Sequence, residues 1–405
     1  MRILLLCLCT AAVLADNRTD MNNIDKTRIL PAETIQINAE PLKLSPTPPQ
    51  TWNSQTVLHA VQCMKPGLGT PVPGALVPSS VKIYNGTALL APEKDYLINE
   101  EWGTLGLAPN SSVTTDDKLT VDYQVSLRRI DSLVQDPNGQ KSILQGTPHL
   151  TIPQPPLLTE NQIRLANIFV DHNRKGPDAL ILPIKEPASA CKTNSTPNRI
   201  PKTLEKIKAG KPVKIVCWGD SVTHGGETPE SDRYATVLTQ KLKEKFPDSQ
   251  ITVEVIAVGG SSSIQWLDPN NYPNPGCDFN RVLSAAPDLV TIEFVNDTGL
   301  YSDPAPFNKQ YNDILTRLNN INAETILITP HFTIGMPPEN ENRQYVKNLI
   351  SFADQNNIAL ADASSRWQHL YLEGLPYETL LINNINHPDA RGHIIFAEEI
   401  MKCFK

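Results

Sequence analysis

The spacing of apolar residues changes near residue 200, after which strands and helices alternate regularly. Short continuous apolar runs are typical of strands that are buried on both faces of a parallel sheet. Between these runs, apolar residues recur every three or four positions, which predicts amphipathic helices. The predicted strands are 213–217, 251–258, 289–294, 325–328 and 358–361, and the predicted helices are 234–246, 311–318, 341–355 and a last one from about 389. This order predicts an α/β domain over residues 200–405, with helices covering both faces of a parallel sheet.

Residues 16–190 follow a different pattern, in which short strand-like segments lie between proline-rich stretches. Residues 119–125 alternate apolar and polar side chains, as in a strand with one buried face. Residues 81–84 and 96–98 are further short strands, and Asn85-Gly86 is a dipeptide typical of hairpin turns. Several short strands with turn residues between them predict an antiparallel β-sandwich. Residues 186–205 are polar and punctuated by proline, and they are interpreted as the linker.

Residues 1–15 have the pattern of a secretory signal peptide. Arg2 supplies a positive charge, residues 3–14 are mostly apolar, and Val13-Leu14-Ala15 precedes a plausible cleavage point. An apolar run of about twelve residues is too short to cross a bilayer, which takes roughly twenty. A buried or amphipathic N-terminal helix is the alternative for the same residues. We expect cleavage of this leader, a secreted or periplasmic location, and no integral membrane segment after the leader is removed.

Charge and composition exclude several classes of protein. The chain has 36 Lys and Arg against 43 Asp and Glu, which gives a formal net charge of −7. A protein that binds nucleic acid normally carries a basic patch, so we expect no nucleic acid partner. The sequence has no Cys-x-x-Cys and no His-Glu-x-x-His segment, and its histidines are scattered. We therefore expect no metal site and no organic cofactor.

Polar residues cluster at the places where a parallel sheet binds its ligands. In a doubly wound sheet, the ligand lies beyond the carboxyl ends of the strands, where the strand order reverses. Three of the predicted strands end in distinctive polar segments, and a fourth such segment precedes the last helix. The four segments are Trp-Gly-Asp-Ser-Val-Thr at 218–223, Val-Gly-Gly-Ser-Ser-Ser at 258–263, Glu-Phe-Val-Asn-Asp at 293–297 and Asn-Ile-Asn-His-Pro at 384–388.

Taken in order, these segments resemble the four sequence blocks of SGNH, or GDSL-type, hydrolases. The resemblance covers about 200 residues, from the linker to the C-terminus. It implies a three-layer α/β/α, flavodoxin-like ester hydrolase domain in which Ser221 is the nucleophile and His387 is the base. It also implies that an oxyanion hole is formed by the backbone N–H groups of Ser221 and Gly260 and the side-chain amide of Asn296. The chemistry agrees, because a serine hydroxyl needs a base to take its proton.

Some positions leave alternatives open. Gly259 is an alternative to Gly260, because one sequence does not settle a shift of one residue. His393 competes with His387, but only His387 is followed by proline, as in the His-Pro pair of the family. Phe294 stands where the third block of the family usually has glycine. His331, which follows the fourth predicted strand, either lines the substrate site or is an ordinary loop histidine.

The third catalytic residue departs from the family pattern. The place three residues before the histidine is usually aspartate, and here it is held by Asn384. An amide oxygen can accept the Nδ1 hydrogen and orient the imidazole without contributing a charge. We therefore predict that Asn384 completes the catalytic set. Asp389 is predicted to cap the last helix, although Asp389 and Asp297 are the carboxylates that would replace Asn384 if this prediction fails.

These features predict a secreted serine esterase that acts through an acyl-enzyme. Export and a separate β-sandwich domain favour a polymeric extracellular substrate, and removal of acetyl groups from a carbohydrate is the first choice. A lipase or small-ester acylhydrolase is one alternative, which the absence of an exposed apolar lid segment disfavours. A non-catalytic extracellular carbohydrate-binding protein is another, and the complete set of Ser221, Asn296 and His387 argues against it.

Overall fold

The chain folds into two compact units. A computed structural model describes residues 25–49, 56–64, 69–173, 176–336, 338 and 342–405, so the predicted leader lies outside the described residues. The first unit extends to Ser189 and also contains Tyr371–Asn386, and the second contains Ala190–Leu370 and His387–Lys405. The sequence placed residues 371–386 in the hydrolase domain, and contacts such as the 2.8 Å hydrogen bond from Asn167 Nδ2 to the Gly374 carbonyl group them with the first unit instead.

The first unit is rich in antiparallel strands, as its alternating segments predict. The strands are β1 Thr34–Leu42, β2 Leu76–Asn85, β3 Ala88–Leu89, β4 Tyr96–Asn99, β5 Thr104–Leu107, β6 Leu119–Ser126, β7 Arg129–Gln135, β8 Lys141–Leu144, β9 Ile163–Val170 and β10 Leu180–Pro183. They form sheets with the orders β1-β6-β2-β3 and β10-β9-β7-β8, and a hairpin of β4 and β5. Alternate side chains of β6 are buried, which explains why its sequence pattern identified it. The predicted turn at Asn85-Gly86 joins β2 to β3.

The second unit is a parallel sheet flanked by helices. Its strands are β11 Val213–Gly219, β12 Ile251–Ala257, β13 Leu289–Glu293, β14 Glu324–Ile328 and β15 Ala359–Ala361. Its helices are α1 Pro201–Lys208, α2 Ser221–His224, α3 Tyr234–Lys245, α4 Ser263–Leu267, α5 Asn280–Ser284, α6 Pro304–Asn320, α7 Gln344–Gln355, α8 Ala363–Leu372 and α9 Ala390–Lys402. Helix α3 packs on α9, and α6 packs on α7. No helix in the described part of the chain is long and apolar enough to cross a membrane.

Helix α1 corrects the predicted linker. The segment was interpreted as a loop because it is polar and contains proline. However, Pro201 occupies the first turn of α1, where its missing N–H costs no hydrogen bond. Leu204 and Ile207 lie one turn apart and are both buried, so the helix has an apolar face despite its three lysines.

The strand order determines where the polar segments meet. The parallel sheet has the order β12-β11-β13-β14-β15, so β11 has β12 on one side and β13 on the other. From β11 the chain passes to β12 on one side and then crosses to β13 on the other side, so the topological switch point lies at the carboxyl end of β11. The first three polar segments all follow these three strands. Phe294, the departure from the family pattern, packs edge-on against Trp218 with ring centroids 4.9 Å apart, so it fills the core below the site.

Candidate active site

Ser221 is presented at a sharp turn between β11 and the short helix α2. Asp220 caps this helix, since its Oδ1 accepts the Val222 N–H at 2.9 Å. The Ser221 carbonyl accepts the N–H groups of both Gly225 and Gly226 at 2.9 Å. The main chain at Ser221 is therefore held from both sides, while its side chain remains partly exposed at the carboxyl edge of the sheet.

His387 lies against the turn that follows α2. Gly226 has a φ of +48°, and a methyl group added to it would lie 2.7 Å from Cγ of the His387 ring. Only glycine gives the imidazole this close approach to the backbone. Thr228 Oγ1 donates to the Pro388 carbonyl at 2.7 Å, so this turn is also bonded to the residue that follows His387. His387 therefore packs on a turn whose amides are hydrogen-bonded to Ser221, so the structure brings these two predicted residues together.

The imidazole of His387 has a carboxylate partner that the sequence did not predict. Its Nδ1 contacts Oε2 of Glu227, and the two side chains are 17% and 12% exposed. A carboxylate at Nδ1 fixes the hydrogen on that nitrogen and leaves Nε2 as the ring's basic nitrogen. The arrangement orients the ring and assigns its tautomer.

The prediction that Asn384 holds His387 is wrong. Asn384 belongs to the first unit, and its Oδ1 accepts a short hydrogen bond from the buried guanidinium of Arg128. The amide oxygen proposed for the imidazole is therefore engaged by an arginine.

The two alternative carboxylates are also engaged elsewhere. Asp389 caps α9 by accepting the Gly392 N–H at 3.0 Å, as predicted. Asp297 accepts the Ser263 N–H at 2.9 Å and the Tyr311 hydroxyl at 3.0 Å.

The candidate oxyanion donors lie at the ends of β12 and β13. Gly260 has a φ of +70°, which favours glycine, whereas Gly259 faces the nucleophile, since a methyl group on it would lie 4.0 Å from Ser221 Cβ. The Asn296 backbone N–H donates to Oδ2 of Asp220 at 3.2 Å. Its side-chain Nδ2 donates to the Ser261 carbonyl at 2.9 Å, and an amide nitrogen has a second hydrogen to give. Asp220 thus joins the segment of Ser221 to the segment of Asn296.

A group of buried carboxyls lies behind the nucleophile. Burial raises the pKa of Asp220 to about 7, and the nearby Asp297 charge adds to this increase. Burial also raises the pKa of Asp297 to about 6. Glu293 is fully buried at the end of β13, and burial together with the Asp220 charge raises its pKa well above the usual range. These neighbouring carboxyls therefore disfavour one another's ionisation.

The two other candidate histidines, His393 and His331, are buried in the core of the second unit. His393 lies in α9, where its Nδ1 accepts the Tyr234 N–H at 3.3 Å and burial lowers its pKa to about 3. His331 is fully buried, with its ring 5.1 Å from the ring centroid of Trp367. Both histidines therefore lie within the packed interior.

The asparagine at position 384, where the family usually has aspartate, is a signal that could have led to Glu227. Without an aspartate at position 384, another carboxylate within reach of His387 is expected. Glu227 follows Gly225-Gly226, and two glycines directly after the nucleophile helix permit a turn that returns the chain toward Ser221. The cue is local, but the pairing of residues 227 and 387 is visible only in the fold.

One protein family and several solved structures are similar to part of this chain. Residues 217–395 match the GDSL-like lipase/acylhydrolase family. A comparison with curated protein sequences finds no match. Among solved structures, a two-domain esterase active on acetylated mannans is 22% identical with a TM-score of 0.42, and the match covers 52% of this chain. That match spans about half of the esterase, 54% of its length.

Two acetyl xylan esterases are also similar in structure. The esterase AlAXEase is 21% identical, with a TM-score of 0.38, and the match covers 47% of this chain and 98% of that one. The acetylxylan esterase Axe2 from Geobacillus stearothermophilus is 19% identical, with a TM-score of 0.39, and the match covers 48% of this chain and 94% of that one.

Proposed function

We propose that this protein, whose residues 217–395 match the GDSL-like lipase/acylhydrolase family, is a serine ester hydrolase that removes acetyl groups from a carbohydrate polymer outside the cell. The observation that supports this chemistry is that His387, with a carboxylate at its Nδ1, packs on the turn whose amides donate to the Ser221 carbonyl at the switch point of the sheet. A nucleophile, a base and an orienting acid in one place are the parts that acyl transfer requires.

The proposed reaction has two steps. Ser221 Oγ attacks the ester carbonyl while His387 Nε2 takes its proton, and the alcohol then leaves with that proton as the C–O bond breaks. His387 next takes a proton from water, whose oxygen attacks the acyl carbonyl, and it returns that proton to Ser221 Oγ as the acyl C–O bond breaks and acetate leaves. In both steps the negative oxygen would lie against the N–H groups of Ser221 and Gly260 and the amide of Asn296.

The surroundings of Ser221 favour a small acyl group and a polar alcohol. The segments that meet there contribute glycine, serine, threonine and asparagine, with Glu227 beside His387. A site for a long acyl chain needs a continuous apolar surface. In the described part of the second unit, the exposed large apolar side chains lie on four separate segments, at Val255, Tyr272, Leu300 and Ile334.

The test is a comparison of substrates. Purified protein is assayed for acetate release from acetylated xylan, mannan and pectin, and for hydrolysis of synthetic acetate, butyrate and octanoate esters, with Ser221→Ala as the blank. We expect acetate release from at least one glycan, and a fall in kcat/KM of about tenfold or more between acetate and octanoate esters. Preference for octanoate would instead favour the lipase, and no turnover by the folded protein would favour a binding protein without activity.

A further inference from the structure

We infer that Glu227 is the positioning carboxylate of the catalytic set, in the role that the family gives to an aspartate three residues before the histidine. The inference rests on the proposed serine hydrolase function. It replaces Asn384 with a residue from the opposite end of the domain, only six positions after the nucleophile.

The first support is the contact itself. Glu227 Oε2 meets His387 Nδ1, and both side chains are largely withdrawn from solvent. A carboxylate with little water around it interacts with a developing imidazolium more strongly than one on an open surface. The contact therefore orients the imidazole and also supplies a negative charge. The amide oxygen of Asn384 could have oriented the ring but carries no charge.

The second support is that the backbone is built around this contact. Gly225 and Gly226 both have positive φ values, +104° and +48°, and their amides donate to the Ser221 carbonyl. The Thr228 N–H closes the turn on the Gly225 carbonyl at 2.9 Å, and the Thr228 hydroxyl is bonded to Pro388. Glu227 thus lies between two anchored residues, so its carboxylate is held toward the ring.

The third support is that the alternative groups already have partners. The Asn384 oxygen accepts from Arg128, and Asp389 caps α9 while also pairing with Arg391 Nε at 2.7 Å. Asp297 is buried and accepts from Ser263 and Tyr311. Each of these groups would have to give up hydrogen bonds to reach His387, whereas Glu227 contacts the ring already.

The first experiment compares Glu227→Gln with Glu230→Gln on one short acetate ester. Glu230 is exposed in the same loop, so its substitution removes the same charge without touching His387. We expect Glu227→Gln to lower kcat by a factor on the order of 10² to 10⁴ with KM nearly unchanged, because the lost interaction acts on the imidazolium rather than on the bound ester. Glu230→Gln should retain the parental kcat.

The second experiment separates positioning from a merely structural role. Glu227→Ala leaves a space that reaches solvent at the partly exposed side chain, and formate can supply a carboxylate there. We expect formate to restore part of the kcat of Glu227→Ala and to leave the parent unchanged, while Glu227→Asp retains more activity than Glu227→Gln. Near-ultraviolet circular dichroism confirms that each variant is folded.

The outcomes distinguish this inference from the function on which it rests. Parental kcat in Glu227→Gln, or a folded Glu227→Ala that formate does not rescue, overturns the role of Glu227 while the activity of the parent upholds the hydrolase function. A parent that hydrolyses no ester overturns both.

Discussion

At the scale of single residues, the two histidines near the C-terminus have opposite environments. His387 is partly exposed and its Nδ1 meets a carboxylate, whereas His393 is fully buried and its Nδ1 accepts a backbone N–H. The difference decides which of them can exchange protons during a reaction. A buried imidazole whose pKa is lowered to about 3 stays neutral at all ordinary pH values.

We expect His387→Ala to lower kcat by a factor on the order of 10⁴ to 10⁶ and to leave the fold intact, since nucleophile and base act as a unit. His393→Ala should retain activity but lower the free energy of unfolding by about 1–3 kcal/mol, because it opens a cavity and leaves the Tyr234 N–H without its acceptor. Steady-state kinetics and urea unfolding of both variants provide the measurement. A folded, inactive His393→Ala beside an active His387→Ala would reverse the assignment.

Glu293 gives a second prediction at this scale, because burial and the nearby Asp220 charge raise its pKa well above the usual range. Thr223 Oγ1 donates to its Oε2 at 3.4 Å, and its Oε1 has no hydrogen-bond partner among the described residues. A buried carboxylate with only one long side-chain hydrogen bond would be costly, whereas a neutral carboxyl is much less so. Glutamine has nearly the same shape and no charge to lose.

The folded-state pKa of Glu293 lies above its unfolded value, so its contribution to stability is complete below about pH 4.5 and is lost as the pH rises through the folded-state pKa. We expect Glu293→Gln to weaken the decline of unfolding free energy between pH 5 and pH 9, and to change stability at pH 5 by no more than about 1 kcal/mol. Urea unfolding across this pH range is the measurement. A decline as steep as that of the parent would show that Glu293 is not the group that titrates.

At the scale of elements, the segment Tyr371–Asn386 belongs with strands that are distant in sequence. Arg128 is buried in the first unit, where it pairs with Asp171 at 2.9 Å, lies over the Phe169 ring and donates to Asn384. The planar guanidinium makes all of these contacts at once, which an ammonium group cannot do. Since His387 follows Asn386 directly in the chain, the segment that Arg128 contacts ends one residue before the proposed catalytic base.

Arg129 offers a matched control for this segment. It is equally buried, but its partners are Asp131, Glu33 and the carbonyls of Leu30 and Pro31, none of which lies in 371–386. We expect Arg128→Lys to speed hydrogen exchange at residues 371–386 by at least about tenfold, equivalent to roughly 1.4 kcal/mol of local opening energy. Arg129→Lys should leave exchange there unchanged. Equal effects of both substitutions would mean that Arg128 contributes only to the general stability of the first unit.

At the scale of the whole molecule, the parts of the fold that could be predicted are those with a strong local pattern. Strands β11 and β13 are mostly apolar because both of their faces are buried, and β6 alternates because only one of its faces is. Helix α1 was not predicted because it has only two large apolar residues among a proline and three lysines. Residues 371–386 were assigned to the wrong unit because hydrogen bonds such as that of Asn167 to Gly374 have no trace in the local sequence.

The candidate site shows the same division. Ser221, Asn296 and His387 stand in ordered blocks, so a single sequence indicates them. Glu227 belongs to no block, and its role depends on a turn of two glycines with positive φ and on the return of the chain at residue 387. Residues that follow one another in a motif can be predicted from sequence, whereas a pair joined only by the fold requires coordinates.

Ser221 is proposed as the nucleophile of an acyl-enzyme mechanism, and covalent labelling of this serine is the decisive measurement. The intact protein is treated with a fluorophosphonate, which reacts with serines activated by a neighbouring base. Labelled protein is then digested, and the modified peptide is identified by mass spectrometry. We expect one label per chain, on Ser221, with esterase activity lost in proportion and no label in Ser221→Ala. Full inactivation with the label on another serine, or an active ester hydrolase that takes up no label, would contradict it.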